Sequence, residues 1–344
     1  MILLLSVLLL MLQQTTPMIL QHDDIVTSAQ WNTTETQIMT TSEDGTIRVW
    51  DAASGESVWM VTLESAVRGA AWNDDQSMIL AWTTGGKVIT LDAESGDILS
   101  TLPMNESRMI QGASWGDDSV LVWYENIVVM PSLRGEGEFA AANFSASHES
   151  RVLQAESIGD YILTYEVDGI AHIWDAATGE DTRAITFDDE TLGVDWNADE
   201  SEVITWGGSG AAMVWDIADH QQIIMRSLDH SRTFVSGAMW TSDETRIVSW
   251  GADETARVWD AATGDLLFST RHEDWVTGAA LNADETKLIT WSFKSAYVWD
   301  ISSGDLIASF THDNLVSGGV FNADETKLLT WSWDGTARVW DMPN

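Results

Sequence analysis

Residues 256–260 read Ala-Arg-Val-Trp-Asp, and residues 337–341 repeat the same five letters. Four other segments carry a similar ending, at Trp50-Asp51, Trp174-Asp175, Trp215-Asp216 and Trp299-Asp300. Two further positions fit the same spacing with the motif partly or wholly lost, at Leu91-Asp92 and Met130-Pro131. These eight endings indicate that one structural unit is repeated along almost the whole chain.

The repeat length is about 41 residues, within the period of about 40–45 residues that is typical of four-stranded propeller blades. Each unit also reads as four short strands separated by polar or Gly-containing turns. In the seventh unit we predict strands at 276–281, 287–292, 296–299 and 306–310. The repeat therefore predicts an all-β fold, an eight-bladed β-propeller of four-stranded antiparallel blades.

The eighth unit has room for only three strands, because the sequence ends at Asn344, four residues after Trp340. Before the first unit, the apolar residues Met18, Ile19 and Leu20 occupy the place that an outer strand takes in other units. We predict that Thr15–Leu20 closes the ring as the outer strand of the last blade. Such a strand covers a sheet edge that would otherwise promote aggregation.

The Trp-Asp endings resemble those of the WD-repeat family, and the resemblance covers about residues 15 to 341. It implies that a His, a Ser or Thr, an Asp and the motif Trp form a buried hydrogen-bonded tetrad, in which every polar group needs a partner. Four units contain all four residues: His22, Thr40, Asp44 and Trp50; His148, Thr164, Asp168 and Trp174; His230, Ser249, Asp253 and Trp259; and His312, Thr330, Asp334 and Trp340. The seventh unit keeps His272, Thr290 and Trp299 without the Asp, and the second, third and fifth lack the His. We expect those three blades to depend more on apolar packing.

Tryptophan is abundant, with 20 residues, and many recur at the same place in successive units. One set ends the innermost strand, as Trp72 does, and another lies on the second strand, as Trp331 does. Recurrence at identical positions favours core packing, because a buried indole contributes a large apolar area. A sugar-binding platform is the alternative for these residues.

The chain has 54 acidic residues against 16 Lys and Arg, for a net charge of −38, and no Cys. Nucleic acid is excluded as an expected partner because phosphate binding needs clustered Lys and Arg. Anionic membrane surfaces are disfavoured for the same reason. The acidity fits a solvated surface, and it can also attract cations or basic partners.

Residues 1–14 begin with an apolar run, Met1–Leu12, of signal-peptide length. No basic residue precedes the run and no small-residue cleavage site follows it, so a short uncleaved anchor is the alternative. We predict an apolar leader at 1–14, a single propeller domain at 15–344 and an extracytoplasmic location, with a cytoplasmic location as the alternative. Membrane attachment is expected only through the leader.

No motif predicts catalysis. Ser or Thr, His and Asp recur together in four units, whereas a catalytic triad is built once and needs an oxyanion hole. Neither G-x-S-x-G nor H-E-x-x-H occurs, so we expect no enzyme activity, no cofactor and no metal. The acidic run Asp188-Asp189-Glu190 lacks the spacing of a calcium loop and favours a solvated turn.

The resemblance implies that partners dock on the narrow face of the ring, over its central channel. The positions there lie shortly after the tetrad His or directly before the tetrad Asp. They are Trp275, Leu315, Arg151 and nearby Phe234 in the first class, and Trp333, Val167, Ala252 and Glu43 in the second.

Trp275 and Trp333 depart from the repeat, and an exposed aromatic pair is a typical binding hot spot. The alternative is that each ring packs on its neighbour. We therefore predict a monomeric, non-catalytic scaffold for a protein or peptide partner. A carbohydrate or small-ligand propeller is the alternative, and a propeller-type enzyme is less favoured.

Overall fold

The computed structural model describes residues 16–103, 109–116, 119–135, 137–187, 191–197, 201–216, 223–231 and 233–343. The predicted leader at 1–14 and the acidic run at 188–190 lie outside these residues. The described part consists of strands, turns and connecting loops, and it includes no helix with the length and apolar character needed to cross a membrane.

The first four blades follow each other along the chain, after a single short strand, β1 (Met18–Gln21). Blade one contains β2 (Val26–Trp31), β3 (Gln37–Ser42), β4 (Thr46–Asp51) and β5 (Ser57–Thr62). Blade two contains β6 (Val67–Trp72), β7 (Met78–Thr83), β8 (Lys87–Asp92) and β9 (Ile98–Pro103). Blade three contains β10 (Ile110–Trp115), β11 (Val120–Tyr124), β12 (Ile127–Arg134) and β13 (Glu138–Ser147). Blade four contains β14 (Val152–Ile158), β15 (Tyr161–Glu166), β16 (Ile170–Asp175) and β17 (Asp181–Thr186).

The last four blades continue the pattern. Blade five contains β18 (Thr191–Trp196), β19 (Glu202–Gly207), β20 (Ala211–Asp216) and β21 (Ile223–Asp229). Blade six contains β22 (Val235–Trp240), β23 (Arg246–Gly251), β24 (Ala256–Asp260) and β25 (Leu266–Ser269). Blade seven contains β26 (Val276–Leu281), β27 (Lys287–Ser292), β28 (Ser295–Asp300) and β29 (Leu306–Thr311). Blade eight contains β30 (Val316–Phe321), β31 (Lys327–Ser332) and β32 (Thr336–Asp341).

Every blade is a four-stranded antiparallel sheet. The strands follow in sequence order in blades one to seven, whereas blade eight takes β1 as its fourth strand. The innermost strand of each blade lies against that of the next, and β30 of blade eight returns to β2 of blade one. The prediction of an all-β, eight-bladed propeller is confirmed.

The ring is closed by β1, which pairs with β32 as the fourth strand of blade eight. Met18 lies opposite Val339 and Gln21 opposite Thr336, and Leu20 is fully buried. The backbone N–H of His22 donates to the carbonyl of Gly335 at 2.8 Å, just beyond the paired segment. Closure by an N-terminal strand is therefore confirmed, with the strand at Met18–Gln21, which starts three residues and ends one residue later than predicted.

The hydrophobic core is divided into clusters that join neighbouring blades. Met39 and Val49 of blade one pack with Val67 and Ile79 of blade two, and Leu20 lies among residues of blades eight and one. Burial of apolar surface contributes roughly 25 cal/mol per Å². Because each blade buries its faces only against its neighbours, the stability of the ring depends on an unbroken circle of contacts.

A close contact between glycine and tryptophan recurs in six blades. In blade eight Gly318 on β30 lies opposite Trp331 on β31, and a Cβ added to Gly318 would lie 2.0 Å from the indole. The same approach occurs at Gly69, Gly112, Gly193, Gly237 and Gly278, each under the Trp of the second strand. Trp331 also packs against the core shared by blades eight and one. These tryptophans pack between blades.

The Gly–Trp contact predicts a sharp difference between two adjacent glycines. Gly318→Ala should destabilise the protein by about 1–3 kcal/mol, because the added methyl displaces the indole of Trp331 from a packed core. Gly319→Ala is the matched control, since its nearest neighbour would be 3.4 Å from the new Cβ. Urea unfolding should separate the two variants, and equal midpoints would contradict the contact.

The closing strand predicts that two truncations behave differently. A chain that begins at Thr16 keeps β1 and should melt close to the full-length protein. A chain that begins at His22 lacks β1, exposes the edge of β32 and uncovers the site of Leu20. It should melt at a lower temperature and aggregate more readily. Equal melting of the two truncated chains in calorimetry would show that β1 does not close the ring.

Candidate functional site

Three blades contain a closed hydrogen-bonded tetrad. In blade one His22 Nδ1 lies 3.1 Å from Asp44 Oδ2 and Nε2 lies 2.7 Å from Thr40 Oγ1, while Trp50 Nε1 donates to the same hydroxyl at 2.8 Å. The corresponding contacts join His230, Asp253, Ser249 and Trp259 in blade six, and His312, Asp334, Thr330 and Trp340 in blade eight. The three histidines are buried. Each tetrad therefore joins the loop before the innermost strand to the second and third strands of the same blade.

Each closed tetrad is extended by an Arg and a Thr to which sequence analysis gave no role. The guanidinium of Arg338 donates to Asp334 at 2.9 Å, to Thr336 Oγ1 at 3.0 Å and to the carbonyl of Thr311 at 3.1 Å. Arg48 and Arg257 make the same set of contacts in their blades. The signal was present as Thr-x-Arg-Val-Trp-Asp, repeated at 46–51, 255–260 and 336–341.

These contacts change the ionisation of the tetrad groups. Burial raises the pKa of Asp44, but hydrogen bonds from Thr46 and the backbone of Asp23 outweigh it and hold that pKa at about 2. Burial lowers the pKa of His22 to about 4 in spite of the adjacent carboxylate of Asp44. At neutral pH the pair is therefore a neutral imidazole bonded to a carboxylate, which suits a structural contact.

Blade seven keeps the His without an acid, as its sequence predicts. His272 Nε2 lies 3.2 Å from Thr290 Oγ1 and 3.1 Å from Thr270 Oγ1, and Trp299 donates to Thr290 at 2.8 Å. Tyr297 takes the position of the Arg and meets the imidazole edge to face, with 4.8 Å between the ring centroids. Burial lowers the pKa of His272 to about 4.

The tetrad predicted for blade four is wrong in its acid. Trp174 donates to Thr164 at 2.9 Å, but His148 Nδ1 contacts Glu166 Oε1 at 2.9 Å rather than Asp168. Asp168 instead accepts a hydrogen bond from Ser150 Oγ at 2.7 Å. The physical reason is that Glu166, the last residue of β15, reaches the imidazole with its longer side chain.

The blades without a tetrad His show mixed behaviour. In blade five Trp215 still donates to Thr205 at 2.8 Å, so half of the arrangement remains. In blade two the corresponding second-strand residue is Ala81, which is fully buried. Apolar packing therefore replaces the polar set in blade two, and only in part in blade five.

The loops that carry the tetrad His and Asp lie on one face of the ring, which we call the tetrad face. Both classes of predicted binding residue meet there in pairs. The backbone N–H of Trp333 donates to the carbonyl of Leu315 at 2.8 Å, and the N–H of Val167 donates to Arg151 at 2.9 Å. Likewise the N–H of Ala252 donates to Phe234 at 2.8 Å and that of Glu43 to Ile25 at 2.9 Å.

Three aromatic residues of blades seven and eight are exposed on the tetrad face. Trp275 is 57% exposed and Trp333 is 49% exposed, so neither ring is covered by its neighbours. The third is Phe293, which is 49% exposed and which sequence analysis missed. The backbone N–H of Val316 donates to the carbonyl of Phe293 at 2.7 Å, which places Phe293 beside Leu315. We call Trp275, Phe293, Leu315 and Trp333 the aromatic patch.

Phe293 occupies the same position in blade seven as Trp333 in blade eight, because each follows a second strand ending in Thr-Trp-Ser. The loss of one residue and of the Asp from the hairpin of blade seven hid this correspondence. Elsewhere this position holds Glu43, Thr84, Glu125, Val167, Gly208 and Ala252. An exposed aromatic ring at this position therefore sets blades seven and eight apart.

The other predicted binding residues lie on blades six, four and one. Phe234, 39% exposed, is on the adjacent blade six, whereas Arg151 is exposed on blade four, across the ring from blade eight. Glu43 belongs to blade one, and it lines a cavity of about 310 Å³ together with Trp333, Arg68 and Gln111. The structure thus brings Trp333 and Glu43 together and leaves Arg151 apart from them.

Exposed carboxylates border the aromatic patch on the loops before β26, β30 and β2. They are Glu273, Asp274, Asp313, Asp23 and Asp24. Asp313 is paired with Arg338 at 3.0 Å although its side chain is 89% exposed. The patch is therefore an apolar surface bordered mainly by carboxylates, with the ammonium group of Lys294 5.5 Å from the centroid of the Phe293 ring.

Comparison with known proteins agrees with the repeat and the fold. Residues 14–51, the first repeat, match the family model described as WD domain, G-beta repeat. The chain matches no curated protein sequence. The Sqt1 protein of Saccharomyces cerevisiae has a similar structure, with a TM-score of 0.81, 14% identity and coverage of 96% of this chain and 99% of that one. The computationally designed Ika8 protein has a TM-score of 0.79, 20% identity and coverage of 94% and 98%.

The eight closed blades and the matched repeat define the class of protein as a β-propeller. The chain is an eight-bladed β-propeller whose first repeat matches the WD-repeat model.

The low pKa of His272 predicts a pH-dependent contribution to stability. The folded protein resists protonation of this imidazole down to about pH 4, whereas the unfolded chain protonates near pH 6.5. The stabilisation is therefore complete above pH 6.5 and is lost as the pH falls from 6.5 to 4, by up to about 3 kcal/mol. His272→Gln removes the titrating group and keeps all other charges.

The measurement is the difference in unfolding free energy between wild type and His272→Gln, taken from urea denaturation at several pH values. The advantage of the wild type should shrink steadily from pH 7 to pH 4.5. A constant difference over this range would contradict the buried neutral imidazole.

Proposed function

We propose that the protein is a non-catalytic scaffold whose aromatic patch docks a protein or peptide segment containing Lys or Arg. The observation that carries this proposal is the exposure of Trp275, Phe293 and Trp333 on adjacent blades, at positions where the other blades hold no Trp. A cluster of exposed aromatic rings loses water-contacting apolar area when a partner covers it, and Trp is enriched at binding hot spots.

The charge around the patch supports a basic partner. Asp274 and Glu273 lie directly before Trp275, and Asp313 lies two residues before Leu315. A Lys or Arg of the partner can stack on an exposed indole while it meets these carboxylates. The overall charge of −38 would also accelerate the approach of a basic partner and repel an acidic one.

The cavity beside Trp333 extends the docking surface toward the central channel. It is lined by Glu43 and Arg68 as well as by Trp82 and Gln111, so it offers both signs of charge and two apolar rings. A side chain of the partner that enters this cavity would find an acid, a base and an amide within reach. We propose that the cavity receives one polar side chain next to the residue that covers Trp333.

A sugar ring is the second candidate ligand, because exposed indoles such as Trp275 and Trp333 can stack on its apolar face. We favour the peptide because the carboxylates bordering the patch match a cation, and a neutral sugar does not need them. We also propose export from the cytoplasm and a monomeric scaffold, on the apolar residues 1–12 and on the closed ring, respectively.

The proposal predicts that Trp275→Ala/Trp333→Ala weakens binding without unfolding the protein. The probe is an immobilised library of peptides of equal length whose net charge runs from positive to negative, with a glycan array beside it. We expect wild type to select peptides rich in Lys or Arg, and the double variant to lose at least tenfold in affinity. Melting should change little, since both rings are exposed.

The matched control is Leu266→Ala/Leu267→Ala, which removes two residues that are 50% and 55% exposed on the outer strand of blade six. It should bind the basic peptides as the wild type does. Binding that ignores peptide charge, or that falls equally in both double variants, would overturn the proposal. Selective binding on the glycan array would instead support the sugar ligand.

A further inference from the structure

Blade four departs from the other tetrads in a way that brings metal-binding side chains together. His148, on the loop before β14, and His172, on β16, both approach Oε1 of Glu166, at 2.9 Å and 3.0 Å. One ligand atom from each residue lies within 4.8 Å of the other two. We propose that His148, Glu166 and His172 form a zinc-binding site, which we call the blade-four site.

Two of the three distances between ligand atoms suit a tetrahedral ion, and the third, between the two imidazole nitrogens, is within 4.8 Å. Zinc binds His nitrogen at about 2.0–2.1 Å and carboxylate oxygen at about 2.0–2.2 Å, which separates ligand atoms by roughly 3.3 Å. The 2.9 Å and 3.0 Å separations at Glu166 require shifts of only a few tenths of an ångström. Three protein ligands leave a fourth position for water or another donor.

The contact that orients His172 also matches a metal site. His172 Nδ1 lies 2.8 Å from Asp181 Oδ2, and its Nε2 faces Glu166. A ligating His usually donates its other N–H to a carboxylate, which orients the ring and increases the basicity of the ligand nitrogen. Asp181, on β17, therefore holds His172 in the orientation in which Nε2 can coordinate the ion.

Blade four lacks the hydroxyl contact that closes the other tetrads. Nε2 of His148 and Oδ1 of Asp168 are buried and have no hydrogen-bond partner among the described residues. In the closed tetrads, by contrast, Nε2 of His22, His230 and His312 contacts a hydroxyl. In blade four the hydroxyl contact at Nε2 is therefore missing, and the imidazole of His148 is held through Nδ1.

The position of His172 explains what the ion would replace. In blades one, six and eight the corresponding residue is Arg48, Arg257 or Arg338, whose guanidinium neutralises the tetrad Asp. Blade four has no Arg there and gathers three carboxylates, Glu166, Asp168 and Asp181. A divalent cation supplies the positive charge that the other tetrads take from Arg.

The donor set selects zinc over the common hard cations. Calcium and magnesium require about six oxygen ligands, whereas two imidazoles and one carboxylate suit zinc. The His148 and Glu166 side chains are almost fully buried and that of His172 is 18% exposed, so the ion would enter from the side of His172.

The test is titration of the full chain, freed of metal with a chelator, with zinc in the presence of a chromophoric zinc indicator. Excess magnesium occupies the exposed carboxylates, which favour hard cations. We expect one zinc ion per chain and a zinc-dependent rise in melting temperature. His172→Arg, which restores the residue found in three other blades, should fold and lose both effects.

Two further variants separate coordination from general charge. Asp181→Asn should weaken zinc binding by roughly 10–100-fold, because it removes the acceptor that orients His172. His272→Gln, a buried His of blade seven with no acid beside it, should leave zinc binding unchanged. Equal zinc uptake by wild type and folded His172→Arg, or no stoichiometric uptake by wild type, would overturn the proposal.

Discussion

The structure depends on the closure of the ring by β1. Each blade buries its two faces only against its neighbours, so an open ring would leave one face of blade eight and one of blade one in water. The pairing of Met18–Gln21 with Thr336–Asp341 completes blade eight, and the buried Leu20 joins it to blade one. The cavity shared by Trp333 and Glu43 exists because these two blades meet. Closure is therefore a condition for the candidate site as well as for the fold.

Repetition and departure from it have different physical meanings in this protein. The tetrads, their Arg partners and the Gly–Trp contacts recur because every junction between blades poses the same problem of burying polar groups and large rings. Residues that break the pattern are free of that constraint. Trp275 and Trp333 are exposed instead of packed, and His172 takes the place of an Arg. The binding face and the blade-four site are both built from such departures.

Much of the fold could be predicted from the sequence, because the Trp-Asp endings mark the blades and the short eighth unit points to a strand supplied by residues 15–20. The site was predicted less well. Spacing could not show that Glu166, and not Asp168, contacts His148, since the two carboxylates are only two residues apart and side-chain reach decides between them. Phe293 was missed because its hairpin is one residue shorter. The clustering of His172 with His148 depends on the pairing of β15 with β16 and is not visible as a linear motif.

The most direct test of the closed ring is native-state hydrogen exchange of the full-length protein. If β1 completes blade eight, those amides of residues 18–21 that donate to β32 should exchange as slowly as the hydrogen-bonded amides of residues 336–341. Both segments should also lose protection together when urea is added, because they belong to one cooperative unit. Rapid exchange of the amides of residues 18–21 that face β32, beside a protected 336–341, would show that the ring is not closed by this strand and would contradict the account.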